Sequence, residues 1–133
     1  MNATEMTILW LVIWWAILLF QVPAIRFSRI RAGVTIFDTD GKDIPGYGNR
    51  LTRALGNCQE NIPLFIGLML FALFTGNADI TNSTAYFLLA ARVAQSVCHL
   101  ISYSRLFSLL RFLFFVLQWL LVLCWVVQLL LRA

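Results

Sequence analysis

The sequence predicts an all-α integral membrane protein, an up-down-up-down bundle of four transmembrane helices forming one domain over residues 1–133. Three observations carry the prediction. Hydrophobic residues make up 61% of the 133 positions and charged residues 12%, where an ordinary globular chain has roughly 25% charged. A soluble fold of this size exposes too much surface to cover with so few charges, and a disordered chain would not be so apolar. Four apolar segments approach the ~20 residues that a ~30 Å hydrocarbon core requires. The links between them differ sharply in positive charge.

The first span is read at residues 6–25. The residues before it carry Glu5 and no Lys or Arg, so the positive stretch that opens a secretory signal is missing, and the segment is expected to be retained. A long loop follows over 26–49, its second half rich in Gly, Pro, Asp and Asn, which read as turns. The second span, 54–76, and the third, 83–103, are interrupted by polar residues, whereas the fourth, 107–131, is strongly apolar. The connection Gly76–Asn82 is short and polar, and Asn82 or Ser83 can cap the third helix. Around Ser104-Arg105-Leu106 there is room only for a tight turn. Short links place consecutive helices antiparallel.

Charge orients this plan. The first loop and its margins hold Arg26, Arg29, Arg31, Lys42, Arg50 and Arg53, and the third connection holds Arg105 and Arg111. The second connection and the N-terminal tail hold no cation, and the C-terminus has Arg132 alone. The positive-inside rule then puts loops one and three in the cytoplasm and both termini outside. The net charge of +4 is too thinly spread to suggest a nucleic-acid partner.

Ionisable groups within hydrocarbon are costly and face protein or water. On the second span Arg50, Arg53, Asn57 and Glu60 are spaced three, four and three apart, hence on one helix face. On the third, Arg92, Gln95, His99 and Tyr103 are spaced three, four and four. Both stripes fall in the cytoplasmic half. An internal Glu60–Arg92 salt bridge is the simplest account of part of this set. The remaining excess is cationic, and guanidinium groups pair well with carboxylates, so an anionic ligand is expected; snorkelling of the outer arginines to lipid headgroups is the competing reading. His99 has no partner at metal-ligand spacing, so no metal site is expected. Cys58, Cys98 and Cys124 read as reduced, buried, small apolar side chains. Trp10, Trp14 and Trp15 read as an interfacial or helix-contact cluster, and Gly67 and Gly76 as points of close helix approach.

The run Arg50-Leu-Thr-Arg53-Ala54-Leu-Gly-Asn57-Cys58-Gln-Glu60-Asn-Ile-Pro63-Leu64-Phe65 resembles the signature of the MAPEG family, the membrane-associated proteins of eicosanoid and glutathione metabolism. The stretch Ala91-Arg92-Val93-Ala94-Gln95-Ser96-Val97-Cys98-His99-Leu100 is similar to that family's second polar stretch. The resemblance extends over about residues 5–131. It implies a small bacterial-type member of the inner membrane, a homotrimer with sites between adjacent subunits, using glutathione as co-substrate at the cytoplasmic face against a lipophilic electrophile delivered from lipid. Arg53, Asn57, Glu60, Arg92, Gln95 and His99 match the positions that hold the tripeptide, and Arg31 is a further partner for a carboxylate or thiolate. Where the family often has Tyr or His, this chain offers either Gln95 and His99 or, in a register shifted by four, His99 and Tyr103. For the arginine near the start of the last helix that stabilises the thiolate, Arg111 is the first choice and Arg105 the second. The activity implied is transferase or peroxidase. The alternative is a family-shaped protein without catalysis that binds an anionic small molecule or lipid. A small exporter of lipophilic cations fits less well, because Glu60 sits among arginines rather than alone.

Overall fold

A computed structural model describes residues 1–38 and 46–133. Lys42 and most of the turn-rich half of the first loop, which entered the charge and turn readings, lie outside the described residues. The described chain is all-helical: α1 Ala3–Arg31, α2 Tyr47–Phe74, α3 Ala78–Asn82, α4 Ala85–Ile101 and α5 Arg105–Arg132. Of these, α1, α2 and α5 are long and apolar enough to cross a membrane. α4 has 17 residues, which at 1.5 Å per residue is about 26 Å and slightly short of a hydrocarbon core.

The helices overrun the expected spans for local reasons. α1 begins at a capping box in which Asn2 accepts from the Glu5 amide and Glu5 accepts from the Asn2 amide. It continues through Arg26, Arg29 and Arg31 until Gly33 at φ 93° turns the chain. Cations in a last turn are favoured by the helix dipole, so the basic stretch expected to open loop one is the end of the first helix. α2 starts seven residues earlier than expected, after Gly46 at φ 71°, and takes Arg50 and Arg53 into the helix. The second connection contains α3, which the sequence reading lacked. Asn82 does not cap the next helix. Its Oδ1 accepts from the Thr4 amide and hydroxyl at 2.9 and 2.7 Å, and Thr84 stands at the N-terminus of α4. Ser102 is extended, which ends α4 before Tyr103. Ser104 then caps α5 by accepting from the Phe107 amide.

Packing follows one apolar face. Leu51, Leu55, Cys58, Ile62, Phe65, Met69 and Ala72 of α2 are all buried at spacings of three or four, so the α2 stripe faces the interior. It meets α1 on one side and α4 on the other, while α4 packs along α5 and α2 barely touches α5. Thr4 with Thr81 and Asn82, and Arg132 with Asp79, gather both termini and α3 at one end. At the opposite end Arg50 Nε donates to the Leu100 carbonyl at 2.8 Å and Tyr103 donates to Asn49. The long helices therefore alternate in direction. Their outward surfaces are apolar, as with Phe20 at 72% exposed and Phe74 at 87%, an arrangement suited to lipid and costly in water.

Two smaller expectations are corrected. A side chain at Gly67 would meet nothing within 4 Å, so this glycine permits no close approach within the chain, and Gly76 at φ 73° serves instead to end α2. Cys58 and Cys98 are buried, but Cys124 is exposed on the surface of α5.

Candidate functional site

The end of the molecule away from the termini holds a cleft of about 1180 Å³. Each of the four longer helices contributes to it. α1 supplies Leu19, Val22 and Arg26, and α2 supplies polar residues from Asn49 to Glu60. Gln95 and His99 come from α4, and Arg111, Phe112 and Phe115 from α5. Pro23 and Pro63 lack the N–H groups that would close on the carbonyls of Leu19 and Gln59, and both of those residues line the cleft.

Of the residues singled out from the sequence, Arg53, Asn57, Glu60, Gln95, His99 and Arg111 are brought together here. Arg92, Tyr103, Arg31 and Arg105 do not line it. Arg92 is entirely buried behind the α2 wall and donates through Nη1 to Asn57 Oδ1, with its guanidinium 5.4 Å from the Phe65 ring centroid. The expected Glu60–Arg92 salt bridge is not made among the described residues. Arg92 addresses the buried side of α2, where Cys58 and Phe65 lie, whereas Glu60 is on the exposed side. Tyr103 is not a continuation of the α4 stripe, since the helix ends before it. Its ring lies 5.8 Å from the Arg53 guanidinium and 5.9 Å from that of Arg111, so it holds two of the cleft's cations by cation–π contact. Arg31 and Arg105 are exposed at helix ends outside the cleft of the single chain.

Sequence reasoning overlooked two participants. Arg26 lines the cleft, and its spacing of seven and four from Leu19 and Val22 already placed it on their helix face; counting it only among loop cations hid this. Gln118 is fully buried in α5 and donates to Gln95 Oε1 at 2.9 Å and to the Phe114 carbonyl at 2.8 Å. An amide near the middle of a long apolar span was the available signal.

Among the described residues the resulting surface has three guanidinium groups, Arg26, Arg53 and Arg111, and one carboxylate, Glu60, with amides among them and two phenylalanines. Such a site can hold a ligand with more negative than positive groups next to an apolar one.

An all-helical chain with three apolar candidate spans, lipid-suited outer faces and a cationic cleft at one end is an integral membrane protein. The MAPEG family model matches residues 7–131, nearly the whole chain, and the chain belongs to the MAPEG family. No curated protein matches the chain, and no solved structure does.

Proposed function

We propose that the protein is a glutathione-dependent membrane transferase or peroxidase acting on lipophilic electrophiles. The observation that carries this reading is the charge pattern of the cleft. Glutathione has two carboxylates, one ammonium and a thiol that reacts as its thiolate. Three arginines and a single Glu60 complement those groups in number and sign, with guanidinium suited to each anion and the carboxylate to the ammonium. Arg111 is assigned to the sulfur because it lies beside Phe112 and Phe115, where an apolar substrate would rest. A fixed cation favours the charged form of a neighbouring thiol, and arginine stays protonated at any working pH. The thiolate then attacks the electrophilic carbon, a C–S bond forms and the leaving group departs with its electron pair. With a lipid hydroperoxide the same thiolate attacks the terminal oxygen, an S–O bond forms as the O–O bond breaks, the alkoxide leaves and takes a proton from water, and a second glutathione thiol converts the resulting sulfenic acid to the disulfide with release of water.

In this reading α1, α2, α4 and α5 are four spans of an up-down-up-down bundle. The cleft lies at the cytoplasmic face and the termini outside, in a bacterial inner membrane. The cation-rich end formed by Arg50, Arg53, Arg105 and Arg111 supports the orientation. The chains associate as a homotrimer with each cleft between neighbours, an arrangement that would also let Arg31 or Arg105 approach a neighbour's site. The test is a conjugation assay on the detergent-solubilised protein with glutathione and 1-chloro-2,4-dinitrobenzene, alongside native mass spectrometry for stoichiometry. Turnover well above the uncatalysed rate and dependent on Arg111 is expected. Glutathione binding without turnover would favour a binding-only member of the family, and no binding at all would remove the reading.

A further inference from the structure

We infer that two fully buried residues, Gln118 and Arg92, are positioning residues that turn the amides of Gln95 and Asn57 so that both show only N–H donors to the cleft. The proposal rests on the glutathione reading for its ligand, but its argument is one of hydrogen-bond polarity.

An amide side chain has one end that accepts and one that donates. Which end faces a site is decided by what lies behind it. Behind Asn57 is the Arg92 guanidinium, which can only donate, and its Nη1 contacts Asn57 Oδ1. The amide nitrogen of Asn57 must then point elsewhere. Behind Gln95 is Gln118. Its own orientation is set by the Phe114 carbonyl at 2.8 Å, an acceptor that demands Nε2. The second proton on that nitrogen reaches Gln95 at 2.9 Å, so the Gln95 atom receiving it must be Oε1. Both amides line the cleft. Their nitrogens make no hydrogen bond among the described residues, and neither is sealed from solvent, whereas the Nε and Nη2 of Arg92 and the Oε1 of Gln118 are sealed. The wall between α2 and α4 is thus a pair of outward N–H₂ groups from Asn57 and Gln95. Together they suit a carboxylate or thiolate, and neither of the two offers an acceptor to a ligand hydroxyl or ammonium, which is left to Glu60. Neutral ligands that need an acceptor there would be discriminated against, because a site built from donors leaves a mismatched polar group unpaired.

Two measurements on the full-length protein in detergent test this. The first needs no ligand: exchange of ¹⁵N-labelled side-chain amide protons with water. The Asn57 and Gln95 amides are expected to exchange readily and the Gln118 amide slowly. Slow exchange at Gln95 with fast exchange at Gln118 would reverse the polarity and overturn the inference whether or not glutathione binds. The second is calorimetry with glutathione. Gln118→Met should weaken binding roughly fivefold, the value of about one neutral hydrogen bond, and the double variant Gln95→Met with Gln118→Met should be no weaker than Gln95→Met alone. Gln95→Glu keeps an acceptor for Gln118 but turns a second acceptor to the cleft, so it should bind more weakly than Gln95→Met. Additive losses in the double variant, or wild-type affinity in Gln95→Glu, would defeat the proposal. Absence of binding by the unaltered protein defeats the glutathione reading instead, and the exchange pattern still decides the polarity.

Discussion

The guanidinium of Arg92, with no exposed surface, donates to Oδ1 of Asn57 while its Nε and Nη2 make no hydrogen bond among the described residues. A buried cation of this kind stabilises little. Taking a charge out of water costs more than one hydrogen bond returns, and the carboxylate expected to neutralise it, Glu60, is exposed in the cleft instead.

Stability and binding should therefore separate at this position. Arg92→Met is expected to leave the thermal midpoint in detergent unchanged or raised, because an apolar side chain of similar length replaces an uncompensated charge. Glutathione affinity should fall several-fold in the same variant, because Asn57 is then able to present either end of its amide. A large loss of stability would show that Arg92 serves the fold rather than the site.

Under the proposed function Arg111, which lines the cleft, would stand beside the reacting sulfur, so its removal should be visible in the pH dependence of the rate. Loss of a nearby cation raises the thiol pKa of bound glutathione. In Arg111→Ala the midpoint of the pH–rate profile for conjugation should move to higher pH, with activity at neutral pH lower by tenfold or more. Arg111→Lys should recover part of both effects. An unmoved midpoint would assign thiolate stabilisation to Arg26 or Arg53.

The pair at the opposite end gives a pH signature with a defined sign. Arg132 donates to both oxygens of Asp79, at 2.9 and 2.7 Å, and this hydrogen bond holds the Asp79 carboxyl below its ordinary value of 3.8. A carboxylate with a depressed folded-state value contributes stability above the unfolded-state value, and that contribution is lost as pH falls through the folded one. Both side chains are solvent-exposed, so the effect is small and screened by salt. Thermal midpoints measured from pH 6 down through pH 3 should show an acid-dependent decrease that Asp79→Asn lacks, and the difference should shrink in high salt.

Thr4 ties the start of α1 to α3. Its hydroxyl lies 2.7 Å from both the Thr81 hydroxyl and Asn82 Oδ1, in a wholly buried position. Thr4→Val keeps the shape but removes both hydroxyl contacts, leaving Asn82 Oδ1 with the Thr4 amide and the Thr81 hydroxyl with the Ala78 carbonyl, and should cost about 0.5–1.5 kcal/mol in chemical unfolding without changing glutathione affinity. A loss of affinity would mean that the two ends of the molecule are coupled.

Much of the site was legible in residue spacing. Arg53, Asn57 and Glu60, and likewise Gln95 and His99, were separated by three or four residues, and side chains so placed share a helix face wherever the helix lies. Tyr103 fell outside this logic because Ser102 is extended and the helix stops. The ion pair expected between Glu60 and Arg92 failed for a related reason. Equal depth along two helices says nothing about rotation around their axes, and only packing sets that rotation.

The sequence by itself determined what composition and period can encode: helices rather than strands, lipid rather than water as solvent, and two polar stripes of one predominant charge. Only the tertiary structure decided that Arg26 of α1 completes the cleft, that Arg92 retreats behind it and that Gln118 stands against Gln95. Those are contacts between residues far apart in the chain. They depend on which faces meet when apolar surfaces are packed, and helical period constrains each helix alone, not its partner.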